Sequence, residues 1–221
     1  VGALPEGTAV TSTYEMGFDL EDQDRKVHPI TCIDLAGELI RCMYKKDAGE
    51  PLSDQQLEVL QTLTNVMIDN RTQNRKLHFF VIEYGAEDRQ YEGLTQQVYL
   101  QAAVRYIQRT GIFKKDTDGL YLLISKVDKA NAHGKDLTVK LKEYIADNYQ
   151  GFYNNLEKIC RDNEINDGKV EIIPFTLGEV CFQNYCKFKE QAAAKVVNKI
   201  IDKTYGYKPG KMKRFMDALK K

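Results

Sequence analysis

The chain lacks the features that would send it to a membrane, to nucleic acid or out of the cell. No apolar stretch approaches the length needed to span a bilayer, and no signal peptide opens the sequence, so a soluble, cytoplasmic protein is expected. An excess of charge of either sign is also missing. Lys and Arg total 32, Asp and Glu total 32, and the net charge is zero. Such a chain offers no global field for nucleic acid or an acidic membrane surface. Histidine is scarce. His28 and His78 lie beside apolar runs and read as structural, and His133 lies in a polar loop. No Ser/His/Asp arrangement follows from their spacing. The five cysteines are odd in number and scattered, and the close pair Cys181 and Cys186 has no second pair and no histidine nearby. Zinc is therefore not expected, and reduced, buried thiols are, with Cys32 in an apolar strand run. No Gly/Ser/Pro-rich linker divides the 221 residues.

What is present fits one α/β domain. The chain is 43% hydrophobic, enough for one sizeable core. Residues 13–20 and 30–33, separated by a polar stretch, read as two strands of a hairpin. A short helix over 39–46 and a loop with Gly49 and Pro51 follow. Ser53 is a plausible cap for a helix over 54–74, where Leu57, Leu60, Leu63, Met67 and Ile68 recur at helical spacing. Apolar runs at 77–82, 119–124 and 170–175 read as buried strands, the last being the final one. Helices are expected over 92–109, 136–149, 154–162 and 186–202. The thirteen tyrosines are scattered and mark packing or interface surface. Alternation of strand and helix implies right-handed crossovers and a mostly parallel sheet covered by helices on both faces.

Three segments leave the carboxyl ends of these strands, where ligands of open α/β sheets sit. The first is Asp34-Leu35-Ala36-Gly37-Glu38. A strand-end aspartate can hold Mg²⁺ through a water, and the glycine amide can approach a terminal phosphate; an ordinary strand-to-helix turn has the same pattern. The second is Ser125-Lys126-Val127-Asp128, where a carboxylate can accept two hydrogen bonds from a guanine edge and a lysine stem can lie along the base. A solvated charged loop reads alike. The third is Thr176-Leu177-Gly178, a loop able to close over a base, or else a helix-entry turn.

In this order, the three segments resemble the motifs of the Ras-like P-loop GTPase family: Asp-x-Ala-Gly, Asn/Thr-Lys-x-Asp with serine in first place, and the Ser-Ala loop. The resemblance runs from about Thr8 to Asp202 and is closest to the larger prokaryotic double-GTPase-like proteins. It implies a three-layer α/β fold; the segment over 39–76, after Asp-x-Ala-Gly, departs from the family as a helical insertion longer than a small GTPase needs. It implies a GTPase-like domain over 1–205 and a basic tail over 206–221, whose Phe215, Met216 and Leu219 share a helical face. It implies Mg²⁺ with GTP or GDP as cofactor and ligand. Metal contacts would come from Asp34 and from Thr13 or Thr11, with Thr8 nearby. Nucleotide contacts would come from Gly37, Ser125, Lys126, Asp128, Thr176 and Leu177. Glu38 stands where the family has a catalytic glutamine, and a carboxylate beside a phosphate makes slow turnover the expectation.

One family element is absent. No Gly-x-x-x-x-Gly-Lys-Ser/Thr occurs in the 221 residues. The family places the strand before that loop at the centre of its sheet, so its absence predicts two open strand edges inside the core. Because the sequence starts at Val1 rather than methionine, the strand and loop are expected upstream; the alternative is a degenerate relative that has lost them. The functional expectation is GTP binding with hydrolysis or switching in the complete protein. The alternative is a non-catalytic module binding a protein partner through residues 39–76.

Overall fold

The computed structural model describes residues 2–3, 13–22, 24–35, 37–68, 75–113, 117–181, 185–188 and 190–204. Thr8, Thr11 and the basic tail over 206–221 lie outside them. The fold centres on three parallel strands: β4 (Lys76–Glu83), β7 (Thr117–Ser125) and β8 (Glu171–Pro174), in the order β4-β7-β8. Phe80 pairs with Leu122, and Leu122 with Ile172. The central strand is apolar on both faces, as a covered parallel strand must be, and Leu120, Tyr121, Leu122 and Ile124 are fully buried.

Helices pack on this sheet through stripes at helical spacing. In α5 (Gln150–Asp162), Phe152, Leu156, Ile159 and Cys160 are all buried, the pattern of a helix that turns one face to a core. α3 (Gln96–Arg109) buries Tyr99, Leu100, Ala103, Val104 and Ile107. α1 (Gly37–Ala48) lies on α3, and Asp47 near its end accepts hydrogen bonds from Arg105 Nε and Arg109 Nη1, both at 2.8 Å. α2 (Asp54–Ile68) opens with a reciprocal cap. Gln56 N–H donates to Ser53 Oγ at 3.3 Å, and Ser53 N–H donates to Gln56 Oε1 at 3.1 Å. α4 (Gly134–Asn148) and α6 (Glu190–Thr204) complete the helices.

The strand around Ile30, expected in one mostly parallel sheet with those around Phe80, Leu122 and Ile172, does not join them among the described residues. β2 (Thr13–Glu21) and β3 (Val27–Leu35) pair with each other over nine antiparallel positions and with no other described strand. β3 therefore stands apart from β4, and Ile30 is not a neighbour of Phe80 in a common sheet. Most of β3 is exposed on both faces, which a strand inside a covered sheet would not be. Cys32 is exposed rather than buried, while Cys42 and Cys160 are buried as expected.

Element bounds also differ from expectation, among them the start of α5 at Gln150 rather than at 154. α3 begins at Gln96, not 92, because Glu92 and Gly93 take positive φ (51° and 79°) in the turn of a small hairpin, β5 (Gln90–Tyr91) with β6 (Leu94–Thr95). β8 is not the last strand: β9 (Gly178–Cys181) and β10 (Tyr185–Phe188) form an antiparallel pair, joined by β1 (Gly2–Ala3). The stretch from 186 thus starts as strand, and the terminal helix begins at Glu190. The helix expected over 54–74 runs to Ile68; positions 69–74 lie outside the described residues.

Candidate functional site

The carboxyl ends of β7 and β8 bring two of the three motif segments together. Phe175 N–H donates to Ile124 O at 2.8 Å, and Val127 N–H donates to Phe175 O at 3.3 Å, so the two strand ends leave the sheet side by side. Past them, Thr176 Oγ1 donates to Asp128 Oδ1 at 2.7 Å, across 48 residues of sequence. Thr176 Oγ1 in turn accepts from Gly178 N–H at 3.1 Å. Gly178 has φ 107°, a backbone state that side-chain-bearing residues rarely reach, so the glycine lets this turn close. Asp128 is exposed, and its second oxygen has no hydrogen-bond partner among the described residues. Leu177 is exposed beside it. Ser125 points inward instead, donating from Oγ to Ile82 O at 3.0 Å and joining the ends of β4 and β7.

Lys126 has a positive φ (56°), and its ammonium lies 2.9 Å from Glu83 Oε1 at the end of β4. Glu83 also receives Lys129 at 3.0 Å and Arg89 at 3.0 Å. Its partial burial favours the protonated acid, but the hydrogen bonds from Lys126, Arg89 and Lys129 outweigh that and pull its pKa down to about 2. Glu83 was not singled out from the sequence. The only signal available was its place as the last residue of an apolar strand run.

The first segment sits elsewhere. Asp34 is the next-to-last residue of β3, and Gly37 opens α1, leaving its N–H at a helix N-terminus suited to an anion. Glu38 is committed to neighbours: its carboxylate pairs with Arg41, and Glu38 Oε1 accepts from Gln56 Nε2 at 3.1 Å. Arg41 also pairs with Glu92 in the turn after β4. Thr13 starts β2, opposite Leu35.

Asp34, Gly37 and Glu38 line a slot of about 1710 Å³ that separates β3 from β4. Its apolar lining includes Ile30, Leu77, Phe79, Val81, Leu100 and Ile107. A small-molecule pocket usually measures about 300–1,000 Å³, so this slot exceeds what one small ligand fills. Among the described residues no group of three or more His, Cys, Asp or Glu is placed to hold a metal ion, and no helix is long and apolar enough to cross a membrane. No protein-family model, no curated protein and no solved structure matches the chain.

Proposed function

We propose that this chain is the larger part of a guanine-nucleotide-binding domain of the P-loop GTPase kind, with Mg²⁺-GTP or GDP as its ligand. The hydrogen bond from Thr176 to Asp128 supports this reading most directly. Two loops with the sequence pattern of a guanine site leave adjacent parallel strands, at the end of the sheet where such folds bind ligands. Thr176 fixes one oxygen of Asp128 and leaves the carboxylate exposed to accept from the base edge. The Lys126 stem runs beside it, its charge anchored on Glu83. Ser125 ties the loop to β4, and Leu177 offers apolar surface.

The oxygen donors Asp34 and Thr13, with Thr11 outside the described residues, suit a hard cation such as Mg²⁺. When bound with GTP, that ion supplies positive charge to the phosphates. Gly37 offers one amide to a terminal phosphate. Glu38 is engaged by Arg41 and Gln56 rather than turned to a water, which favours binding and switching over hydrolysis.

The test uses a form of the protein that carries a phosphate loop as well. Asp128→Ala should lower GTP affinity at least about tenfold, because each hydrogen bond to a charged group is worth roughly 1.5–3 kcal/mol. Calorimetric titration with GTP and ATP measures this. Equal affinity of the unmutated protein for both nucleotides overturns the reading.

A further inference from the structure

We propose that Glu83 is a positioning residue that keeps Asp128 open to a ligand, by drawing to itself the two lysines that flank that carboxylate. The guanine identity of the ligand rests on the nucleotide reading; the arrangement of charge does not. The loop after β7 is a single 3₁₀ turn, Val127–Ala130, closed where Lys129 N–H donates to Lys126 O at 3.1 Å. Such a turn has three residues per revolution, so side chains three apart eclipse and the turn has three faces. One face carries Val127 and Ala130, both buried. The second carries Lys126 and Lys129, whose ammonium groups reach the same atom, Glu83 Oε1, at 2.9 Å and 3.0 Å. The third carries Asp128, which meets Thr176. Asp128 is next but one to Lys126 and next to Lys129 in the chain, yet among the described residues its carboxylate pairs with neither and has Thr176 as its one partner.

Glu83 is held in place for this task. It is the last residue of β4, in register with Ser125, so the strand pair sets it beside the start of the turn. Arg89 grips its carboxylate with two nitrogens, Nη1 on Oε2 at 3.0 Å and Nη2 on Oε1 at 3.2 Å. Such a fork fixes the plane of the carboxylate as well as its charge. The Glu83 side chain is mostly buried while Asp128 is exposed, so water competes less for the lysines at Glu83 than it would at Asp128. Without the charge on Glu83, the carboxylate nearest to either lysine along the chain is Asp128. An ammonium turned to it would occupy the oxygen that Thr176 leaves free, and a ligand donor would have to displace that ammonium first.

The first arm of the experiment needs no nucleotide. In the 221-residue chain, carbon-detected NMR reads the carboxyl carbon of Asp128 before and after Lys126→Met and Lys129→Met are made together. The signal should move with the lysines in a Glu83→Gln background, and stay in place where Glu83 is kept. Equal movement in both backgrounds, or none in either, overturns the proposal. The second arm titrates GTP into the form that carries a phosphate loop. Glu83→Gln should weaken binding about two- to fivefold, the range that an exposed ion pair supplies. With both lysines already methionine, which keeps an apolar stem for the base, Glu83→Gln should weaken it no further. A loss of the same size with and without the lysines would come from folding rather than from Asp128, and it overturns the proposal as well. The two readings fail separately. If Asp128→Ala leaves GTP affinity unchanged, the nucleotide falls, and the carboxyl signal still decides what Glu83 does.

Discussion

Glu83 gathers three cations at one strand end, and its energetics can be separated by pH. Its side chain is 16% exposed, while Lys126, Lys129 and Arg89 are about half exposed, so solvent screens each pair. The folded-state pKa of about 2 lies below the ordinary 4.5. The carboxylate therefore contributes stability above its unfolded pKa, and that contribution fades as pH falls from about 5 toward 2. Glu83→Gln should cost roughly 1–2 kcal/mol near neutral pH, allowing for screening. The gap from the unmutated protein should close on acidification. Urea unfolding at pH 7, 4 and 2.5 measures it, and a gap that stays constant with pH would assign the loss to packing. At this scale the sequence is legible where a residue follows a patterned strand: Asp128 and Thr176 each stand just past one, and they meet. It was not legible where charge converges from separate segments, as at Glu83, or where a thiol's burial depends on a neighbouring strand, as at Cys32.

The elements show the same division. Apolar runs and periodicity located β4, β7, β8, α2, α4 and α5, because burial on two faces or along one stripe leaves a period in the sequence. The boundaries at Gln96 and Glu190 were hidden, since a turn made by positive φ at Glu92 and the short pair β9-β10 leave no such period. A close contact inside β7 gives a sharp test. A methyl added at Gly119 would stand 2.5 Å from Cε2 of Tyr121 and 2.7 Å from its hydroxyl. The Tyr121 ring is fully buried and stacks on Phe79 at 4.9 Å, so it has little room to withdraw. Gly119→Ala should therefore destabilise by about 1–3 kcal/mol, lowering Tm by roughly 2–4 °C for each kcal/mol. Tyr121→Leu in the same chain should recover part of that loss, because the clashing atoms are gone. Thermal unfolding of the two single variants and the double variant forms the cycle that checks it; strict additivity would show that the contact is not the cause.

For the molecule as a whole, strand order carries the argument. The alternation of elements pointed to a mostly parallel sheet with helices, and three of its expected strands form one. What the alternation did not foretell is that β2 and β3 stand apart from the described parallel strands, because the local pattern of a strand is the same whichever strand it pairs with. The consequence for ligand binding follows from counting contacts to phosphate. A complete site cradles the phosphates with consecutive backbone amides and a lysine. Here no Gly-x-x-x-x-Gly-Lys-Ser/Thr occurs in the sequence. On the proposed reading the phosphates are left, among the described residues, to Gly37, Asp34 and Thr13, and base contacts at Asp128 and Lys126 would have to offset the entropy of immobilising the ligand almost alone. We expect the 221-residue chain to bind Mg²⁺-GTP weakly or not at all and to hydrolyse none. Titration calorimetry of this chain, run beside one extended by a strand and a phosphate loop, measures it. Tight binding by the 221 residues would mean that the phosphates are held by groups other than those named. Failure of the extended chain to bind, despite a well-folded sheet, would remove the nucleotide and turn the function toward an interaction module.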